Sequence, residues 1–336
     1  MIFQDGGSKK SYTYEDLRTA SQNFGSSLRS QWGLRKGDVL ALMSPNCIET
    51  PTVTWGCHYI GAVVAPVNPG LSARELHQQL SRSQAKGIAV HPNCLGTALE
   101  ATKLAGLREN RILVLGTKNE SGTGVTTAQF MDKAPASPTK PADIHPDDVA
   151  FLVYSSGTSG PPKGVMVSHR NVVADVVLQA AIEGPHVNWK NDRTLAVLPT
   201  YHIYGESNRS IRAASTNHVG LICLVYLPVL LGTSTIFMEK FDLQTFCNLI
   251  REHSISHVYV APPIVLHLAK NRSINGSDLA SLRMITSGGA PLGEALIQET
   301  YNRWKVPLRQ AYGLSETTSV SHIQVIKYIQ TFVDKC

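Results

Sequence analysis

Along the chain, short apolar runs of β-like composition alternate with amphipathic runs of helical spacing. "GDVLALMSP" (37–45) predicts a buried strand, and "CIETPTVTWGCHYIGA" (47–62) the helix that follows it. "AVVAPV" (62–67) predicts the next strand. A helix at "SARELHQQLSRSQAK" (72–86), a strand at "GIAVHP" (87–92), a further helix and a strand at "RILVLG" (111–116) complete a first series. Residues 117–147, rich in Thr, Ser, Pro, Gly and Lys, read as a surface connection. A second series opens at "DDVAFLVYSS" (147–156) and continues with strands at 194–200, 234–239, 257–262, 282–289 and 308–313. Between these lie helices such as "DLQTFCNLIREHS" (242–254), which starts on an Asp cap, and "EALIQETYNRW" (294–304). Strand and helix in alternation predict an α/β protein with mainly parallel sheet covered on both faces. No repeat of fixed period is visible, which argues against a solenoid.

At 336 residues the chain is too long for one ordinary compact domain and long enough to bury a large core. Its 43% hydrophobic and 17% charged content is that of a globular soluble protein rather than a disordered one. The net charge of +6 and pI near 9.0 are mild, and Lys9–Lys10 is the only lysine doublet. No basic stripe points to nucleic acid; solubility or a small anionic substrate accounts for the excess. The cysteines (Cys47, Cys57, Cys94, Cys223, Cys247, Cys336) show no CxxC pair, and no His cluster stands at zinc spacing. They read as buried or incidental thiols of a reducing compartment. The opening "MIFQDGGSKK" lacks the apolar core of a signal peptide. The most apolar stretch, "GLICLVYLPVLLG" (220–232), contains Pro228 and falls short of the roughly 20 residues needed to cross a bilayer.

One stretch carries candidate chemistry. In "YSSGTSGPPKGVMVSHRN" (154–171), Gly157, Gly160 and Gly164 allow positive φ and close ligand approach. Ser155, Ser156, Thr158 and Ser159 supply hydroxyl donors, successive backbone N–H groups can form an anion nest, and Lys163 adds a point charge. Those are the requirements for holding a polyphosphate. The GxxxxGK[ST] signature does not match, because Pro162 precedes the lysine and Gly164 follows it.

The ordered run S-S-G-T-S-G-x-P-K-G strongly resembles the phosphate loop of the AMP-forming adenylating enzymes: acyl-CoA synthetases, luciferases and adenylation domains of peptide synthetases. "YTYEDL", "GDVLALMSPNCIE", "GAVVAPVNPG", "YHIYG", "VAPPIVLHLAKN", "SGGAPLG" and "QAYGLSE" occur in that family's order over about 15–320. The likeness is closest to the 4-coumarate–CoA ligase group. Singly these motifs are unremarkable: His202 would be a hydrogen-bonded structural residue, Tyr312 a core aromatic, Glu316 a helix-start carboxylate, "SGGAPLG" a turn. Their joint order makes the resemblance specific.

The resemblance implies the N-terminal domain of such a ligase, with two mainly parallel or mixed sheets flanked by helices. It implies a first subdomain over 1–116, the connection 117–147, and a second subdomain over 148–320 with the phosphate loop at 154–165. It implies a two-step reaction. A carboxylate attacks the α-phosphate of Mg·ATP to give acyl-AMP and pyrophosphate, and the thiol of coenzyme A then displaces AMP. Ser155, Ser156, Gly157, Thr158, Ser159, Gly160 and Lys163 would hold the β- and γ-phosphates. Tyr312 and Gly313 would lie at adenine, Ser315 near the α-phosphate and Glu316 on Mg²⁺. Gly288, Gly289 and Ala290 would border adenine and the acyl pocket, and His202 and Tyr204 would form its gate and wall. His202, Lys163 and Glu316 are the catalytic candidates; no nucleic acid and no membrane span are implied.

Two stretches depart from the family pattern. Residues 206–220, "ESNRSIRAASTNHVG", separate "HIYG" from "LICLVYLPVLLG", and 321–336, "SHIQVIKYIQTFVDKC", replace the family's continuation. An ATP-ribose aspartate, a hinge and a mobile domain with a catalytic lysine are expected there and are missing. Both stretches read as translated introns. Gly205-Glu206-Ser207 can be encoded with the donor string GTGAGT, Val219-Gly220 with an acceptor TAG, and Val320-Ser321 with GTAAGT. A genuine surface loop and a natural short isoform are the competing reading. The expectation is an incomplete ligase domain, cytoplasmic or from a peroxisomal full-length parent, with little thioester formation. The rival readings are a non-catalytic nucleotide-binding fragment and an adenylation domain serving a carrier protein.

Overall fold

The computed structural model describes residues 1–117, 122, 124–155, 162–198 and 219–325. Its strands are β1 Phe3–Asp5, β2 Ser11–Tyr12, β3 Val39–Met43, β4 Val63–Val67, β5 Gly87–Val90, β6 Ile112–Val114, β7 Val125–Thr126, β8 Val149–Ser155, β9 Lys163–Ser168, β10 Arg193–Ala196, β11 Ser234–Phe237, β12 His257–Val260, β13 Met284–Gly288, β14 Leu308–Tyr312 and β15 His322–Ile323. They form two sheets. One has the order β7-β6-β5-β3-β4-β8-β9, the other β15-β14-β13-β12-β10-β11-β1-β2. The alternating pattern therefore yields the expected α/β architecture, with helices between the strands of each sheet.

The seven-stranded sheet belongs to a unit built on Tyr12–Ser155 and extended through β9. Its inner strands β3 and β4 pair in parallel from Val39↔Val63 to Met43↔Val67, and all of β4 is buried. Continuous apolar runs of this kind suit strands covered on both faces. Ala41, Met43, Val67, Leu76, Ile88 and Val114 meet in one core cluster. The helix Tyr14–Trp32 starts where Thr13 Oγ1 accepts the Asp16 N–H at 3.1 Å and Asp16 Oδ2 accepts the Thr13 N–H at 2.8 Å, a reciprocal cap. It ends at Gly33, whose φ of 66° closes the turn.

Gly25 of this helix lies against Gly56 of the helix Thr50–Tyr59, so closely that a Cβ on Gly25 would stand 2.5 Å from the Gly56 carbonyl oxygen. Gly25→Ala is expected to destabilise the protein by about 1–3 kcal/mol through forced separation of the two helices, read as a lower urea midpoint.

The eight-stranded sheet belongs to the other unit, built on Met1–Ser11 and the chain from Val173. β10, β11, β12, β13 and β14 run in parallel, and β15 returns antiparallel to β14. Leu195, Ile236, Phe246, Val258, Ile285 and Leu308 are among its buried core residues. The helix Leu243–His253 begins on the expected cap, with Asp242 Oδ1 accepting the Thr245 N–H at 2.8 Å.

Three features differ from the sequence reading. β8, the start of the second series, pairs with β4 through Val64↔Phe151 and so belongs to the first sheet. β1 pairs in parallel with β11, carrying the N-terminus into the other sheet. A run such as "VAFLVY" satisfies either sheet equally, and periodicity does not name a strand's partner. The connection 117–147 also contains β7 and the helix Thr127–Met131, started by a Thr126–Gln129 capping box. No helix among the described residues is long and apolar enough to cross a membrane.

Candidate active site

Parallel strands place ligand sites at their carboxyl ends, and β13 and β14 end in two of the motifs singled out above. Their register sets Gly288 opposite Ala311. A Cβ on Gly288 would approach the Ala311 carbonyl oxygen to 3.1 Å, so glycine permits the close strand pairing there. Gly289 follows at φ 82°, a left-handed turn that glycine adopts without strain, and Ala290 is exposed beyond it. The two motifs are tied together: Gln310 Oε1 accepts the Leu292 N–H at 3.2 Å.

Tyr312, the last residue of β14, is 58% exposed and lies beside His322, with ring centroids 6.1 Å apart. Ser315 is buried at the start of a short 3₁₀ turn, Ser315–Thr317, and Glu316 is exposed on it. The chain then folds back, so that the Ser321 N–H donates to the Tyr312 carbonyl at 2.9 Å. A cleft opens along this edge, lined by Leu198, Tyr259, Thr286, Gly288, Gly289, Ala311, Val320 and Ile323. Its lining is almost wholly apolar or backbone. Sequence reasoning named Gly288 and Gly289 and missed the rest. Tyr259 and Thr286 carry no motif signal apart from their position near strand ends, Ala311 lies within "QAYGLSE" but was not singled out, and Ile323 lies in the segment read as foreign.

Lys163 opens β9 opposite Ser155 and is exposed. Gly164 faces Tyr154 across that pair, and a Cβ there would meet Leu152 Cδ1 at 3.1 Å. Arg82 Nη1 donates to the Pro162 carbonyl at 3.3 Å just before the lysine. Ser156, Gly157, Thr158, Ser159 and Gly160 lie outside the described residues, as do His202 and Tyr204 and most of 206–220. Of the segment 321–336, residues up to 325 are described, and His322–Ile323 form β15.

Beneath the cleft, the helix His169–Glu183 turns a polar stripe inward: Asp175, Gln179 and Glu183 are 7%, 3% and 2% exposed. Gln179 donates to Asp175 Oδ2 at 3.0 Å, and the Cys223 thiol donates to Gln179 Oε1 at 3.1 Å. Burial raises the Cys223 thiol well above its ordinary pKa. Burial also pushes Asp175 up to about 6, against hydrogen bonds from Gln179 and the Val320 backbone. Between the ordinary value of 3.8 and about 6, the folded protein therefore holds more protons than the unfolded chain. Stability falls as pH rises through that window. Asp175→Asn, which has no proton to lose there, is expected to flatten that fall, as urea midpoints taken across the window will show.

The chain matches the AMP-binding enzyme family over residues 1–333. It is 33% identical over 318 residues to the 4-coumarate–CoA ligase of Pinus taeda, covering 94% of this chain and 55% of that one. It is 34% identical over 321 residues to 4-coumarate–CoA ligase 1 of Narcissus pseudonarcissus, covering 94% and 54%. Among solved structures, a natural red-emitting luciferase from Phrixothrix hirtus superposes with a TM-score of 0.80 at 26% identity, covering 96% of this chain and 59% of that one. The fold is that of this solved neighbour. The chain belongs to the AMP-binding enzyme family and spans about half the length of the curated relatives it matches.

Proposed function

We propose that this chain carries the nucleotide and acid sites of an ATP-dependent carboxylate–CoA ligase that works through an acyl-adenylate. One observation carries the reading: the "SGGA" and "QAYGLSE" motifs, 23 positions apart from Gly288 to its partner Ala311, meet side by side along one apolar cleft. Tyr312 offers an exposed ring for adenine, with the left-handed turn at Gly289 leaving room beside it. Ser315 and its turn hold the α-phosphate. Loop residues 155–160 and Lys163 hold the β- and γ-phosphates, whose charge the lysine offsets.

Glu316 is a single exposed carboxylate, and no group of three His, Cys, Asp or Glu side chains is placed for a metal among the described residues. One carboxylate, phosphate oxygens and water are the donor set Mg²⁺ takes, so Glu316 fits an ion that arrives with the nucleotide. Bound there, Mg²⁺ neutralises phosphate charge. His202 and Tyr204 flank the acid, and coenzyme A accepts the acyl group. The names of the relatives make 4-coumarate and related 2-propenoic acids the first candidates; medium and long fatty acids are the second.

Acid-dependent exchange of labelled pyrophosphate into ATP tests the reading. Exchange with one class of acid assigns the substrate. ATP binding without exchange for any acid would leave only a nucleotide-binding module. Lys163→Ala is expected to weaken ATP binding about tenfold or more, because a phosphate loses its charge-assisted partner. Binding calorimetry reads that loss directly.

A further inference from the structure

One carboxylate under the cleft is connected to three adjacent strands. Tyr259 of β12, Thr286 of β13 and Arg309 of β14 stand in a single register row, Tyr259↔Thr286↔Arg309, and so share one face of the sheet. The Tyr259 hydroxyl donates to Glu183 Oε1 at 3.2 Å. Arg309 Nη2 donates to the same oxygen, and Arg309 Nε donates to Thr286 Oγ1 at 2.9 Å. Two residues further along the same face come Gly288 and Ala311, which line the cleft together with Tyr259 and Thr286.

The arrangement is costly. Arg309 is fully buried and Glu183 is 2% exposed, and a buried ion pair is poor value for stability compared with apolar packing. Arg309 Nη1 has no hydrogen-bond partner among the described residues, so the row is held at the expense of an unsatisfied donor. Apolar side chains would fill the same space without fixing the rotation of Tyr259. A charged acceptor does fix it, because the ring is held at its hydroxyl while its body forms cleft wall.

We propose that Glu183 is a positioning residue of the nucleotide cleft: through Tyr259, and through Arg309 and Thr286, it sets the spacing and rotation of the wall against which the nucleotide lies. This rests on the nucleotide reading of the site. The Glu183 carboxylate touches no substrate itself; it acts by holding groups that do.

The test is AMP affinity of the 336-residue chain by calorimetry, with thermal midpoints alongside, for wild type, Tyr259→Phe, Glu183→Gln and the double variant. Tyr259→Phe removes one hydroxyl and leaves the Glu183–Arg309 pair intact, so it folds even where Glu183→Gln does not. The expected result is a loss of AMP affinity of roughly three- to tenfold in Tyr259→Phe with a nearly unchanged midpoint. In the double variant the two losses do not add, because Glu183→Gln acts on the Tyr259 ring through the hydroxyl that Tyr259→Phe has already removed. Wild-type affinity in a folded Tyr259→Phe overturns the positioning role and leaves the nucleotide reading standing. Full additivity in the double variant also overturns it, because independent losses indicate general loosening. Absence of AMP binding by the wild-type chain overturns the nucleotide reading itself, and the positioning role with it.

Discussion

Gly313→Ala is expected to reduce nucleotide affinity by about tenfold or more, through displacement of the chain around it. A Cβ on Gly313 would fall on the carbonyl oxygen of Ser319, where the chain folds back after the 3₁₀ turn. That neighbour is backbone, not the end of a flexible side chain, so the strand end or the returning segment must move. The displaced segment holds Tyr312, Ser315 and Glu316, and Val320 and Ile323 of the cleft wall follow it. Overpacking of this kind costs about 1–3 kcal/mol of stability in addition. Gly293→Ala, in the "SGGAPLG" motif, is the control: a Cβ there meets nothing within 4 Å. Titration of both variants with AMP checks the contrast. Equal affinities would show that the return of the chain at Ser319 is irrelevant to the site.

Glu183→Ala is expected to cost about 3–5 kcal/mol, because it leaves the Arg309 guanidinium buried without a counter-charge. For a protein of this size that lowers the thermal midpoint by on the order of 10 °C. Replacing both partners with apolar residues, Glu183→Met with Arg309→Met, is expected to recover most of the loss, since no buried charge then remains. The recovered protein should nevertheless bind AMP poorly, because the Tyr259 ring has lost its anchor. Thermal melts and AMP titration of the single and double variants separate the two effects. A double variant as unstable as the single would contradict the account of the pair.

Much of the fold was legible because buried parallel strands announce themselves. "VLALM" of β3 and "VVAPV" of β4 are apolar throughout, and the Asp242 cap marks a helix start. Sheet membership was not, as β1 and β8 show, because a strand's apolar pattern is satisfied by whichever neighbour closes on it. The helix His169–Glu183 reverses the usual rule. Val173, Val177 and Leu178 are exposed while Asp175, Gln179 and Glu183 are buried. Both sets have helical spacing, and binary pattern alone assigns the apolar set to the core. Glu183 goes inward to Arg309 and Tyr259 and Gln179 to Cys223, partners that lie 126, 76 and 44 positions away.

The site divides in the same way. Gly288, Gly289, Tyr312 and Glu316 were named through the resemblance that the ordered motifs carry, and of these Gly288 and Gly289 line the cleft. Tyr259 and Thr286 were not named, since each is an ordinary strand residue until the register brings it into a row with Arg309. Ile323 was read with the foreign segment 321–336, yet β15 pairs with β14 and sets it in the cleft wall.

The central claim is that adenine lies between the ends of β13 and β14, and photolabelling with an 8-azido adenine nucleotide tests it most directly. After irradiation and digestion, the label should sit in peptides spanning Met284–Ala290 or Leu308–Glu316, and excess unlabelled ATP should abolish it. Label elsewhere in the chain, or label that ATP fails to displace, would contradict the account.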